Sequence, residues 1–145
     1  FRSLLVYIAR KLGLHIQVQS LESVNEVLSQ ISMALEKVDD NAELPITFED
    51  LLALEEQIVS YVGEKARERN VGIESLSSLT PLAKLYYTEF RGIEPENLDI
   101  VPMDSTLEDE VFEKFLVGVM GTRLKTKQFR TYLNYVIELV AKVEG

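Results

Sequence analysis

The sequence predicts an all-α protein, folded as a single irregular bundle of about five or six helices. Three observations support this fold class. Apolar residues recur at intervals of three and four along most of the chain, which is the spacing of one helix face. The helical segments follow residues that favour helix N-termini, and glycines follow several of their ends. At 145 residues, 46% of them hydrophobic, the chain has the size and apolar content of one globular domain.

The first predicted helix runs from Arg2 to Leu12. Its apolar side chains share one face: Leu4, Leu5, Ile8 and Leu12. Gly13 stands where a residue of left-handed conformation commonly ends a helix. Residues 14–19 then alternate between apolar and polar side chains, which is the period of a strand. Because no second strand is evident for it to pair with, we expect an extended connector there.

The second predicted helix covers residues 21–38, with Ser20 as its N-cap. Its apolar residues follow a heptad spacing: Leu21, Val24, Leu28, Ile31, Leu35 and Val38. Such a stripe is typical of a helix that faces the core of a bundle. A coiled-coil dimer is the alternative, although the seam is shorter than three heptads.

The third predicted helix covers residues 48–69, after a polar loop from Asp39 to Pro45. Thr47 and Asp50 form a variant of the capping box, in which side chain and backbone exchange hydrogen bonds. We assign its buried side to Phe48, Leu51, Leu52, Ile58, Val59 and Val62. We assign its exposed side to Glu49, Glu55, Glu56 and Glu64.

The rest of the chain predicts a linker at 70–78, a short helix and a final helical pair. Thr80 and Pro81 are favoured residues for starting a helix, and Gly92 ends this one. Residues 94–102 are expected to be irregular. The last two helices are placed at 106–121 and 127–143, the first of them opened by a capping box of Ser105 and Glu108.

The formal net charge of −9 is unevenly distributed along the chain. Residues 1–20 sum to +3, residues 21–113 to −16 and residues 114–145 to +4. Overall acidity disfavours nucleic-acid binding over the whole surface, but a local basic face remains compatible with it.

The most unusual basic residues lie where the last two predicted helices meet: Arg123, Lys125, Lys127 and Arg130. Cations at a helix N-terminus oppose the helix dipole, so another interaction is expected to favour them. One explanation is pairing with acids of the central segment, such as those at 108–113. The alternatives are an acidic protein surface or a nucleic-acid backbone.

Tyr132 and Tyr135 are the aromatic candidates for a contact surface. They lie beside the apolar seam of the last helix, so we expect them to contact a protein partner or a second copy of the chain.

Catalytic and metal-binding motifs are missing from the sequence. It holds no cysteine, and His15 is its single histidine. Arg10 and His15 resemble the loosely spaced Arg and His of HEPN-type RNases, which would imply RNA cleavage. Gly13 interrupts the helix between them, however, and in that family the motif lies late in the fold. Acidic pairs such as Glu55 and Glu56 are more simply explained as a solvated helix face.

Residues 124–130, Leu-Lys-Thr-Lys-Gln-Phe-Arg, are similar to a Leu-Thr-Thr-x-Gln-Ile-Arg string in the small helical subunit of type III CRISPR effector complexes. The resemblance covers seven residues and implies nucleic-acid binding. In that family the string lies nearer the N-terminus, and the acidic middle of this chain departs from it.

The sequence therefore predicts a non-catalytic helical interaction or scaffold module, with no cofactor and no metal ion. The alternative is an accessory nucleic-acid-binding subunit that uses the basic residues at 123–130. We expect residues 1–145 to be one helical domain of a longer protein, because no initiator Met stands at Phe1. The missing cysteines and the lack of a membrane-length apolar run lead us to expect a cytoplasmic location.

Overall fold

Six α-helices and one two-stranded sheet make up most of the computed structural model, which describes residues 2–15, 23–72, 79–100 and 106–144. The all-α prediction is confirmed in this part of the chain, apart from the small sheet. In chain order the elements are α1 (Arg2–Lys11), α2 (Val24–Leu35), β1 (Glu43–Thr47), α3 (Phe48–Glu68), α4 (Pro81–Leu85), α5 (Thr106–Val119), β2 (Arg123–Lys125) and α6 (Thr126–Glu144).

The predicted end of α1 is confirmed. Gly13 has a φ of +77°. The Leu14 N–H donates to the Ala9 carbonyl at 2.9 Å, and the Gly13 N–H donates to the Arg10 carbonyl at 3.0 Å. This pair of bonds is the Schellman motif, which satisfies carbonyls that the helix end leaves free.

Two predicted helix starts are confirmed as well. At α3, the Thr47 hydroxyl accepts from the Asp50 N–H while the Asp50 carboxylate accepts from the Thr47 N–H, so the capping box is complete. At α4, the Thr80 hydroxyl accepts from the Ala83 N–H at 3.2 Å. The capping box predicted at Ser105 lies outside the described residues.

The second helix is shorter than predicted. Its N-cap is Ser23, whose hydroxyl accepts from the Glu26 N–H, and the helix ends at Leu35. Four seam residues are buried in the core, namely Val24, Leu28, Ile31 and Leu35, whereas Val38 is 37% exposed. The seam therefore packs inside the bundle; Ser20, Leu21 and the connector from residue 16 lie outside the described residues.

The expectation of a strandless chain was wrong, and so was the polar loop up to Pro45. β1 pairs with β2 in antiparallel orientation, with Glu43 opposite Lys125 and Thr47 opposite Arg123, and with an irregularity between the two pairs. Leu44 and Ile46 of β1 are buried while Glu43 and Pro45 are exposed. Both strands are short and depend on each other for stability, so the residue pattern of neither segment alone predicts a strand.

Helix α6 lies at the centre of the fold and packs against α2, α3 and α4. Seven of its side chains are fully buried: Thr126, Phe129, Tyr132, Leu133, Val136, Val140 and Val143. α6 is Thr126–Glu144, close to the predicted 127–143, and α5 ends two residues before its predicted end.

Beyond α4 the helix continues as a π-helical turn, Tyr86–Phe90, in which the Arg91 N–H reaches the Tyr86 carbonyl at 3.1 Å. Its rings pack on α5, with Tyr86 and Phe90 each 4.6 Å from Phe115 between ring centroids. A 3₁₀ helix, Pro95–Ile100, occupies part of the segment expected to be irregular. The turn thus supplies the aromatic contact between α4 and α5.

Candidate functional site

Arg123, Lys125 and Lys127 form one exposed row, which we call the basic strip. They alternate with Leu124 and Thr126, which are fully buried. The Thr126 hydroxyl donates to the Ala42 carbonyl at 3.2 Å, which anchors the junction of β2 and α6 to the segment before β1. Because the buried residues hold this junction in place, all three cations face outward.

Arg130 differs from the basic strip because the chain itself pairs it. Its Nη1 lies 3.0 Å from Oδ1 of Asp40. The partner is thus an acid of the central segment, as expected, but it lies before β1 rather than on α5. Glu110 and Glu113 of α5 are exposed, and neither of them pairs with Arg130.

Among the residues that the structure describes, the basic strip itself lacks such partners. Glu43 lies opposite Lys125 in the sheet. Within the described ranges, however, no acidic side chain comes within 4.0 Å of the charged groups of Arg123, Lys125 or Lys127. In a chain of net charge −9, these are basic groups without an ion-pair partner among the residues that the structure describes.

The start of α6 adds to the positive potential beside the basic strip. The Thr126 and Lys127 N–H groups donate to the carbonyls of Ala42 and Asp40, each at 3.0 Å. Backbone carbonyls rather than carboxylates therefore accept these two N–H groups, and the first turn itself contains no acidic residue. The positive end of the helix dipole is left without a carboxylate in that turn.

Backbone pairing by a partner strand is disfavoured at this sheet. The Lys125 N–H donates to Oε1 of Gln128 at 2.9 Å, and the Thr47 N–H donates to the Asp50 carboxylate at 3.0 Å. Pro45 has no N–H to offer. Edge strands recruit partners through free backbone groups, and these backbone groups are already bonded or absent, whereas the side chains of the basic strip are exposed.

The tyrosine prediction fails for Tyr132 and is untested for Tyr135. Tyr132 is 0% exposed, so it cannot contact a partner from this position. Tyr135 is partly buried; its hydroxyl lies 3.3 Å from the Thr88 hydroxyl, and the Lys84 ammonium lies 5.6 Å from its ring centroid. It joins α6 to the segment that begins with α4.

Glu55 was expected on the exposed side of α3 and is instead buried, with 8% of its surface exposed. Its Oε1 accepts the Leu82 N–H at 2.7 Å, and the Thr80 side chain also hydrogen-bonds to it. Burial raises the pKa of Glu55 to about 7, although the bonds from Leu82 and Thr80 oppose that rise. The carboxyl group therefore caps α4 from a neighbouring helix.

A second buried polar group lies near this carboxyl. The Tyr132 hydroxyl has no hydrogen-bond partner in the described structure. Burial, together with the charge of Glu55, raises the pKa of Tyr132. Glu55, Thr80 and Tyr132 thus form a polar group inside an otherwise apolar core, which we call the buried carboxyl site.

The helical spacing of α3 places Glu55 on the buried face, although an acidic residue is expected on the exposed face. Leu51, Glu55, Ile58 and Val62 follow one another at intervals of four, three and four, and all four are buried. Val59 was assigned to the buried side and is 47% exposed. Helical position was therefore a better guide than polarity for these two residues.

The remaining candidates for catalysis or metal binding do not come together in the described structure. Arg10 and His15 are exposed, and the end of α1 at Gly13 separates them. Asp50 serves the α3 cap and also pairs with Lys11 at 3.3 Å. Over the described residues, no three acidic or histidine side chains are grouped closely enough to hold a metal ion.

Comparison with protein-family models, curated proteins and solved structures finds no match for this chain. In the part of the chain that the structure describes, no helix is both long and apolar enough to span a membrane.

Proposed function

We propose that this chain is a non-catalytic helical interaction module of a larger protein or assembly, and that it binds an acidic protein surface through the basic strip. One observation carries the proposal. Arg123, Lys125 and Lys127 are exposed and without ion-pair partners among the described residues, whereas Arg130 in the same segment is paired with Asp40.

Electrostatics supports an anionic partner. Holding three like charges together beside the positive end of α6 costs free energy in the isolated chain, and a partner's carboxylates would recover it. The acidic middle of a second copy has the same chemistry, so a homodimer is one form of this proposal. We place the module in the cytoplasm, in keeping with a chain that has no cysteine.

A peptide titration tests the proposal directly. A fluorescent polyglutamate peptide of about 20 residues is titrated with the chain at low and at moderate salt, with Lys125→Glu/Lys127→Glu as the variant. Lys142→Glu is the matched control, because Lys142 is also exposed on α6 but lies in its last turn. We expect binding that the double variant abolishes and the control retains. No binding at low salt, or equal binding by all three proteins, contradicts the proposal.

Nucleic acid is the second candidate partner, because phosphates suit the same three cations. The same titration is run with a single-stranded RNA and a DNA of about 20 nucleotides. If all three cations contact phosphates, the logarithm of the binding constant falls with the logarithm of salt concentration with a slope of about −2. Tighter binding of RNA or DNA than of the peptide would replace the acidic-protein proposal with this one.

Light scattering tests whether the chain forms a homodimer. A mass twice that of the monomer, lost in Lys125→Glu/Lys127→Glu, would identify the second copy as the acidic partner. A monomer that still binds the peptide would show that the partner is another protein.

A further inference from the structure

The buried carboxyl site lies where α3, α4 and α6 pack against one another. Glu55 lies in the middle of α3, and its carboxylate accepts the Leu82 N–H at the start of α4. Tyr132 of α6 is buried near enough for the charge of Glu55 to raise its pKa. The Leu82 amide is one of the N–H groups that a helix start leaves without an internal partner. Glu55 therefore adds a buried polar tie to a short helix whose Leu82 and Leu85 side chains also pack in the core.

The segment that continues α4 makes contacts with two further helices, so the position of α4 affects them as well. The π-helical turn that continues α4 holds Tyr86 and Phe90 against Phe115 of α5. Tyr135 of α6 is joined to the same segment through Thr88. Because the π-helical turn continues α4, a displacement of α4 from α3 would also disturb the aromatic contact with α5.

We propose that Glu55 is a proton-operated latch: its neutral carboxyl group holds α4 and the following π-helical turn on the bundle, and its ionisation loosens them. The neutral form is favoured because the site is apolar apart from its few hydrogen bonds. The charged form is disfavoured because burial removes its hydration.

The groups that face the carboxyl are few. Thr80 and the Leu82 N–H approach from the α4 side and carry no charge. Tyr132 is the titratable group from α6, and its own ionisation is disfavoured. Among the residues described, no Lys or Arg lies within 4.0 Å of the Glu55 carboxylate. Ionised Glu55 thus has hydrogen bonds but no neutralising partner in the part of the chain that the structure describes.

The direction of the effect follows from proton linkage. The pKa of Glu55 is about 7 when α4 is docked and has its ordinary value of 4.5 when the group is exposed. Raising the pH therefore favours the open form, and the equilibrium constant for opening should rise roughly 70-fold between pH 5 and pH 8.

Amide hydrogen exchange followed by NMR tests the latch in the intact chain. The protection factors of Leu82 and Ala83, corrected for intrinsic exchange, are compared at pH 5 and pH 8. We expect them to fall by tens of fold in the native chain and to change little in Glu55→Gln, which retains an oxygen for the Leu82 N–H. Glu56→Gln is the matched control, because Glu56 is the exposed neighbour on α3, and it should behave like the native chain.

A carboxyl-detected NMR titration gives a second reading that does not depend on refolding of a variant. A Glu55 carboxyl that titrates near pH 7 supports the latch, and one that titrates near its ordinary value of 4.5 overturns it. Protection at Leu82 that stays constant with pH, or that falls equally in Glu55→Gln, also overturns it.

Discussion

Replacing Glu55 with Gln should make the chain more stable at neutral and alkaline pH, although it removes a hydrogen-bonding charged group. Glu55 has an ordinary pKa of 4.5, which burial raises to about 7 in the folded chain. Below the lower value both the folded and the unfolded chain are protonated, and the contribution to stability is complete. Between the two values the unfolded chain releases its proton first, so that contribution is lost as the pH rises.

The size of the effect follows from the same two values. A difference of about 2.5 pKa units corresponds to about 3 kcal/mol of unfolding free energy. A domain of this size has a total stability of roughly 5–15 kcal/mol, so the loss is a substantial part of it. Gln keeps an oxygen for the Leu82 N–H and cannot ionise, so the variant should avoid the loss.

Urea unfolding followed by circular dichroism measures this difference. The unfolding free energy of Glu55→Gln minus that of the native chain is determined from pH 4 to pH 8. We expect it to increase by about 3 kcal/mol over that interval. Glu56→Gln should give a flat difference, since Glu56 is exposed. A flat curve for Glu55→Gln, or one that decreases, would refute the argument that burial outweighs the hydrogen bonds of the carboxylate.

Three further predictions concern single substitutions whose effects are measured as changes in urea unfolding free energy. Tyr132→Phe removes a buried hydroxyl that has no partner in the described structure, and it should stabilise the chain by about 1 kcal/mol; a loss of stability would mean that the hydroxyl is hydrogen-bonded. Gly63→Ala should stabilise α3 by roughly 0.5–1 kcal/mol, because an added methyl group contacts nothing within 4 Å. Gly13→Ala should instead destabilise the chain by roughly 1 kcal/mol, because Gly13 has a φ of +77°. Equal effects at the two glycines would contradict this. Thr47→Ala removes the hydroxyl that accepts the Asp50 N–H and should cost about 1 kcal/mol, while an unchanged midpoint would show that Asp50 alone maintains the cap.

Helix positions were predictable because their signals are local. The capping box at Thr47, the Thr80 start of α4 and the glycine end of α1 each depend on residues within one or two turns. The seam of α2 was recognisable for the same reason. Its bounds were less accurate, because Ser20 and Ser23 are both suitable caps and the sequence does not rank them.

Pairing across the chain was not predictable, and it determines both candidate sites. Arg130 meets Asp40, and β2 meets β1, across 75 to 89 intervening residues. These long-range contacts are the reason that Arg130 is paired with an acid while the basic strip stays exposed.

By itself, the sequence of this protein determined which segments are helical and where its charge is concentrated, since both depend on neighbours along the chain. The tertiary structure decided which charged groups are free and which are enclosed. It placed Glu55 in the core, where its carboxylate accepts the Leu82 N–H and loss of hydration raises the pKa of the carboxyl group. It left Arg123, Lys125 and Lys127 in solvent, where they are accessible to a partner.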